Sequence, residues 1–117
     1  MQRKINVLLI EDDFEIGKWL NKRILELNNI ASLSWETSIE KALTALSHNN
    51  PDIIILDLNF PDGNGIDLLK KIKNTKQESK VYIFSVNTEL RNVCMRLGAD
   101  YFFDKTKESE ELIASLK

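Results

Sequence analysis

Five polar side chains stand at or just beyond the ends of apolar runs in this sequence: Glu11, Asp12, Asp57, Ser85 and Lys105. If the runs form one parallel sheet, their carboxyl ends lie along one edge, where open α/β sheets place their active sites. Three carboxylates brought that close repel one another and do not all stay ionised without a cation. Because the set offers oxygen ligands and no His or Cys, the sequence favours a hard divalent ion, Mg²⁺ or Mn²⁺.

These side chains have what phosphoryl transfer to a carboxylate requires. An oxygen of Asp57 would attack phosphorus in line, while the cation and Lys105 neutralise the phosphoryl oxygens. Ser85 supplies a small hydrogen-bond donor beside them. Each residue alone has a plainer explanation, since an acidic cluster after a strand is often a helix cap with solvated charge. Asp13 is interpreted in that plainer way, as the cap of the first helix.

The elements that must position these residues alternate between strand and helix. Apolar runs predict five strands, at residues 5–10, 30–35, 52–57, 81–85 and 101–103. Apolar residues spaced by three and four predict helices between the strands, the second of which opens on a capping box in Thr37-Ser38-Ile39-Glu40. Residues 74–80 are expected to form a loop, and residues 108–117 a last helix. This alternation predicts an α/β fold, with a doubly wound, five-stranded parallel sheet and five helices.

The length and composition of the chain suit one compact domain, residues 1–117. Of its 117 residues, 43% are hydrophobic, and no composition break or long linker divides them. The formal charge of −2 gives no basic surface, so direct nucleic-acid binding is not expected. The single cysteine, Cys94, excludes an internal disulfide and is expected in the core. The first apolar run is too short for a membrane span, so a cytoplasmic protein with no membrane partner is expected.

Four segments in this order resemble one protein family: VLLIEDD, PDIIILDLNFPDGNG, VYIFS and LGADYFFDK. They fall on the predicted strand ends, and essentially the whole chain resembles the receiver domain of bacterial two-component response regulators. The resemblance implies a flavodoxin-like fold with the strand order 2-1-3-4-5. It also implies a signalling switch that catalyses its own phosphorylation and dephosphorylation, rather than an enzyme that acts on a metabolite.

The resemblance also implies roles for individual residues. Asp57 would accept a phosphoryl group from the phosphohistidine of a sensor histidine kinase or phosphotransfer protein. Ser85 and Lys105 would contact the phosphoryl oxygens, and Phe102 would turn inward when Ser85 moves toward the phosphate. Phosphorylation would change the surface near helix 4, strand 5 and helix 5, which would serve an output domain, a target protein or a second copy of the chain. The metal would be held by Glu11, Asp12, Asp57 and the backbone carbonyl of Asn59.

Two residues depart from the usual pattern of that family. Val86 stands after Ser85 where the family usually has a smaller residue, and we expect it to narrow access to Asp57 and slow phosphoryl exchange. Thr106 stands after Lys105 where the family usually has a proline, often preceded by a cis peptide bond. Because a cis bond before a residue other than proline costs about 3–4 kcal/mol, a trans bond and a rearranged loop are expected here.

Three other functions are compatible with parts of this pattern. A receiver-like docking module that no longer phosphorylates is favoured only by Val86 and Thr106. A small aspartyl-phosphate phosphohydrolase also places a nucleophilic Asp after a buried strand, but it needs a second Asp where this chain has Asn59. A flavodoxin-like cofactor carrier cradles phosphate in Gly- or Ser-rich loops, whereas the first loop here is acidic and repels phosphate.

Overall fold

A computed structural model describes residues 3–76 and 78–117 of the protein. The fold is built on a five-stranded parallel sheet. The strands are β1 (Ile5–Ile10), β2 (Ile30–Glu36), β3 (Ile53–Leu56), β4 (Lys80–Ser85) and β5 (Tyr101–Asp104). Their order is β2-β1-β3-β4-β5, and every neighbouring pair is parallel. The predicted sheet and its strand order are therefore confirmed.

Within the described residues, five α-helices flank the sheet; four connect successive strands and the fifth follows β5. They are α1 (Phe14–Leu25), α2 (Ile39–His48), α3 (Gly65–Thr75), α4 (Arg91–Arg96) and α5 (Ser109–Ser115). A two-residue antiparallel pair, Asn59–Phe60 with Gly63–Asn64, leads into α3, and the 3₁₀ turn Thr88–Leu90 leads into α4. Within residues 3–76 and 78–117, no helix is long and apolar enough to cross a membrane.

The sheet separates two apolar layers, because successive side chains of a strand point to opposite faces. On one face, strand residues pack against α2, α3 and α4, in a layer that includes Leu8, Ile10, Ile54, Leu56, Ile83, Leu46, Leu69, Ile72 and Cys94. On the other face, strand residues pack against α1 and α5, in a layer that includes Val7, Leu9, Ile55, Phe84, Leu20, Ile24, Leu112 and Ile113. Cys94 is fully buried, as predicted.

Two predictions about helix ends are wrong in detail. Residues 74 and 75 belong to α3 and not to the loop, since the helix runs to Thr75. The side chain that caps α2 is Ser38, which accepts from the Lys41 amide, so Glu40 lies too early in the helix to close a capping box. Instead, the carboxylate of Asp62 accepts from the backbone amides of Ile39 and Glu40, each at 3.1 Å, and so supplies partners to the first turn of α2.

Helix α1 buries fewer of its apolar residues than its sequence pattern indicated. Leu20 and Ile24 are fully buried, but Phe14, Trp19 and Leu25 are substantially exposed. These three side chains lie beyond the narrow stripe of α1 that faces the sheet, so they do not fill the core. The helix begins as predicted, because the Asp13 carboxylate accepts from the Ile16 amide at 3.1 Å.

Candidate functional site

Asp57 follows β3, the central strand of the sheet, and is held by backbone groups on both sides. Its amide donates to the carbonyl of Ile10 at 3.1 Å, and its carboxylate Oδ1 accepts from the Leu58 amide at 2.7 Å. The first residue of α3, Gly65, lies so close that a Cβ there would be 2.5 Å from the Asp57 carbonyl oxygen. Only glycine fits that contact, and the resulting packing leaves Asp57 5% exposed at the carboxyl edge of the sheet.

Lys105 brings a positive charge into contact with two buried carboxylates. Its ammonium lies 2.8 Å from Asp57 Oδ2 and 2.8 Å from Glu11 Oε1. The other oxygen of Glu11 accepts from the Asp13 amide at 3.1 Å. Since Glu11 is 1% exposed and the Lys105 side chain 9%, this is a shielded arrangement of charges and not a surface ion pair.

Asp12 completes a cluster of three carboxylates. Oxygen atoms of Glu11, Asp12 and Asp57 all lie within 4.8 Å of one another, and Asp12 faces the solvent. Three carboxylates and the ammonium of Lys105 leave a formal charge of −2 at this point, which a divalent cation balances. The donor set is oxygen only, as Mg²⁺ prefers, so the residues present fit that ion.

Burial and neighbouring charges shift the pKa values of Glu11 and Lys105. Burial, followed by the negative charge of Asp57, raises the pKa of Glu11 to about 7, against the opposing effect of its hydrogen bond to Lys105. Burial alone would lower the pKa of Lys105, but its hydrogen bonds to Asp57 and Glu11 outweigh burial and leave that pKa above its ordinary value. Lys105 therefore keeps its charge, whereas Glu11 is ionised less readily than in water, because its carboxylate is buried beside that of Asp57.

The hydroxyl of Ser85 lies at the end of the strand beside Asp57 but is engaged elsewhere. Ser85 is fully buried, and its Oγ accepts from the Asn87 amide at 3.0 Å and donates to Asn87 Oδ1 at 3.3 Å. The same Oδ1 accepts from the side-chain amide of Asn59, which links the loop after β3 to the loop after β4. The sequence prediction for Asn59 concerned its backbone carbonyl, and that role stays a prediction.

Phe102 lies on β5 with its ring turned into the protein, 5% exposed. The guanidinium of Arg91, the first residue of α4, lies 4.8 Å from the centre of that ring and donates to the Phe102 carbonyl at 2.9 Å. Arg91 also lies 3.4 Å from the carboxylate of Glu108, which accepts from the Asp104 amide. Arg91 thus joins α4 to β5 and to the loop that follows β5, a connection that the sequence analysis missed.

The two departures from the family pattern have simple structural outcomes. Every peptide bond within the described residues is trans, including Lys105–Thr106, as predicted. Both the amide and the hydroxyl of Thr106 donate to Asp104 Oδ1, at 2.8 and 2.7 Å, and these bonds shape the turn after β5. Val86 is 52% exposed beside Ser85, and its effect on phosphoryl exchange stays a prediction.

Trp35, near the end of the edge strand β2, is a further residue at the site that the predicted motifs did not include. Its indole Nε1 donates to the backbone carbonyl of Glu11 at 2.9 Å, so this side chain touches the peptide between two residues of the carboxylate cluster. The ring lies against Gly17 of α1. A glycine in the middle of a predicted amphipathic helix is the one sequence signal that pointed to such a close contact.

Comparison with known proteins settles the family. The family model of the response regulator receiver domain matches residues 7–117. The chain belongs to this family. The receiver domain of the Francisella response regulator 1452 has a TM-score of 0.86 with this structure at 28% identity, covering 97% of this chain and 93% of that one. The resemblance stated from the sequence is thereby confirmed.

Curated relatives of this receiver domain are longer proteins. The swarming motility regulation protein RssB of Serratia marcescens is 34% identical over 115 residues, covering 97% of this chain and 52% of that protein. The transcriptional regulatory protein MalR of Bacillus subtilis is 34% identical over 120 residues, covering 96% and 48%. The chain thus spans about half the length of the curated relatives it matches.

Proposed function

We propose that this receiver domain, residues 1–117, is a phosphoacceptor switch in which Asp57 takes a phosphoryl group from the phosphohistidine of a sensor kinase or phosphotransfer protein. The observation that carries the proposal is the contact of Lys105 with Asp57 and Glu11 inside a shielded carboxylate cluster. A nucleophilic carboxylate, an adjacent ammonium and an oxygen-lined cation site are the parts that phosphoryl transfer needs.

The cation site supports Mg²⁺ or Mn²⁺ as the cofactor. Glu11, Asp12 and Asp57 supply carboxylate oxygens, and the backbone carbonyl of Asn59 is proposed as a further ligand. A divalent cation bound there offsets the charge of the cluster and of the incoming phosphoryl oxygens. Lys105 already lies at the cluster, so a small movement of its flexible side chain brings the ammonium to a phosphoryl oxygen.

In the transfer step, an oxygen of Asp57 forms a bond to phosphorus while the bond from phosphorus to the histidine nitrogen breaks. The nitrogen leaves with the electron pair of that bond and takes one proton from solvent, so that the donor histidine is released as neutral imidazole. Asp57 is suited to this role because hydrogen bonds to Leu58 and Lys105 fix the orientation of its carboxylate before the donor arrives.

The output of the switch is proposed to pass through Ser85 and Phe102. Ser85 must leave its bonds with Asn87 to reach a phosphoryl oxygen on Asp57. Phe102 lies under α4 on the next strand, so a shift of the loop after β4 changes its packing. The surface affected comprises α4, β5 and α5, where the exposed side chains of Met95 and Tyr101 suit an output domain, a target protein or a second copy of the chain.

Trifluoroberyllate provides a direct test, because it binds to a carboxylate oxygen as an analogue of a phosphoryl group. Fluorine NMR of the wild-type chain with beryllofluoride is expected to show a bound signal that requires Mg²⁺ and disappears in Asp57→Asn. The matched control is Asp67→Asn, an exposed carboxylate on α3, which is expected to bind as the wild type does. A folded wild-type chain that shows no bound signal would favour the docking-module alternative, and turnover of an aryl phosphate would favour the phosphohydrolase.

A further inference from the structure

We propose that Trp35 is a positioning residue for the acidic loop after β1 (residues 11–13), which carries two of the proposed Mg²⁺ ligands. Its indole fixes the peptide from which Asp12 projects. The inference rests on the proposed function, since it concerns the same Mg²⁺ site. It assigns a role to the edge strand β2, which contributes no side chain to the carboxylate cluster.

The backbone of Glu11 is held by β2 at both of its hydrogen-bonding groups. The Glu11 amide donates to the carbonyl of Glu36 at 3.0 Å, which continues the pairing of β1 with β2 by one residue. The Glu11 carbonyl lies beyond the end of β1 and accepts from Trp35 Nε1 at 2.9 Å. The indole therefore fixes the plane of the Glu11–Asp12 peptide at the place where the strand gives way to the loop.

The position of the indole is itself determined by α1. An ideal Cβ at Gly17 would lie 2.0 Å from Cζ2 of Trp35, so the ring occupies space that any other residue at position 17 would claim. The ring of Phe14 lies beside it, with centroids 5.8 Å apart. Because the ring is confined by the helix that begins directly after the acidic loop, it can hold the Glu11 carbonyl in one place.

The consequence for Mg²⁺ follows from how differently the two acidic side chains are held. The carboxylate of Glu11 is buried and bonded to Asp13 and Lys105, whereas Asp12 is exposed. The orientation of Asp12 toward the other ligands thus depends on its backbone, which Trp35 secures. Removing a group that orients a metal ligand commonly weakens metal binding by an order of magnitude or more. Removing a single neutral hydrogen bond weakens it by less.

The first test is titration of the metal-free chain with MgCl₂ by calorimetry. Trp35→Phe keeps an aromatic ring and removes the N–H donor, and we expect it to weaken Mg²⁺ binding roughly fivefold. The matched control is Trp19→Phe, which removes an indole that stacks under Arg23 on α1. This variant is expected to bind Mg²⁺ with the same affinity as the wild type. The chain has two tryptophans, so proton–nitrogen NMR adds a direct readout: the Trp35 indole N–H should shift with Mg²⁺ and the Trp19 one should not.

A second variant keeps the indole and displaces it. Gly17→Ala forces the ring of Trp35 to move and is expected to weaken Mg²⁺ binding to a similar degree. In a protein that already carries Trp35→Phe, Gly17→Ala should weaken Mg²⁺ binding little further. At saturating Mg²⁺ both variants should regain the wild-type rate of phosphorylation, because the positioning affects affinity and not the transfer step.

The outcomes separate this inference from the proposed function. A wild-type chain that binds no Mg²⁺ overturns both of them. A wild-type chain that binds Mg²⁺, with Trp35→Phe and Gly17→Ala binding it equally well, overturns only the role of Trp35.

Discussion

Replacing Glu11 by Gln should make the metal-free protein more stable at neutral and alkaline pH. The pKa of Glu11 in the folded protein is about 7, against 4.5 in the unfolded chain, because burial and the charge of Asp57 oppose its ionisation. Between these values the unfolded chain releases a proton that the folded protein keeps, so stability falls as pH rises through that interval. Below pH 4.5 Glu11 is protonated in both states, so it does not lower the free energy of unfolding. Above pH 7 it is ionised in both states, and the loss of stability reaches its full size.

The expected size of the effect follows from that interval. At 1.36 kcal/mol for each pKa unit, ionised Glu11 lowers the free energy of unfolding by roughly 3 kcal/mol above pH 7. Glu11→Gln removes the charge and keeps an oxygen for the Asp13 amide. In a domain of this size the gain corresponds to a rise in Tm on the order of 10 °C.

Urea unfolding in EDTA at pH 8 and at pH 4.5 measures this directly. Glu11→Gln should exceed the wild type by roughly 3 kcal/mol at pH 8 and by little at pH 4.5. The control Glu15→Gln removes an exposed carboxylate from the first turn of α1 and should show no such dependence on pH. Added Mg²⁺ should stabilise the wild type more than Glu11→Gln. A Glu11→Gln protein less stable than the wild type at pH 8 would show that the ionised Glu11 carboxylate stabilises the fold instead of destabilising it.

Three further substitutions test the packing and access of the site. Gly65→Ala should lower the free energy of unfolding by about 2–3 kcal/mol in urea, because the new Cβ meets the backbone of Asp57 and Leu58. Arg91→Ala should lose about 1 kcal/mol and speed hydrogen exchange at the Asp104 amide, because it frees the Phe102 carbonyl and Glu108. Val86→Ala should increase the rates of both phosphorylation and dephosphorylation, measured with acetyl phosphate, because a smaller side chain opens the approach to Asp57.

Two of these substitutions have a matched comparison variant, and the third has an outcome that would contradict it. Gly63→Ala places its Cβ 2.9 Å from the flexible end of Ile39, so it should cost much less than Gly65→Ala; equal costs would argue against the contact of Gly65 with the backbone of Asp57 and Leu58. Arg91→Lys keeps the charge and loses the planar fork, so it should resemble Arg91→Ala if the stacking on Phe102 matters. Unchanged rates of phosphorylation and dephosphorylation in Val86→Ala would show that the Val86 side chain does not restrict access to Asp57.

The sequence was sufficient for the sheet and for the residues at its carboxyl edge. Buried parallel strands are continuous apolar runs, so their ends are sharply marked, and Asp57 stands at the clearest of them. Helix ends were less accurate, because a cap can come from a distant loop. In addition to the Ser38 cap, Asp62 accepts from a first-turn amide of α2 from 22 residues away in the chain, and no local pattern indicates that contact.

The supporting contacts of the site could not be predicted from the sequence for the same reason. The bond from Trp35 to Glu11 joins residues 24 positions apart, and the stacking of Arg91 on Phe102 joins residues 11 positions apart, so neither contact lies within one helix or strand. Their geometry depends on how helices settle on the sheet, which periodicity does not determine. Ser85 illustrates the limit: its place at a strand end was predictable, but its pairing with Asn87 was not.

The central claim is that Asp57 accepts a phosphoryl group with the help of a divalent cation, and intact-protein mass spectrometry tests it most directly. The wild type and Asp57→Asn would be incubated with acetyl phosphate, with Mg²⁺ or with EDTA. One added phosphoryl group is expected in the wild type with Mg²⁺ and none in the other three samples. An adduct that forms on Asp57→Asn or in EDTA, or a folded wild type that gains no phosphoryl group, would contradict it.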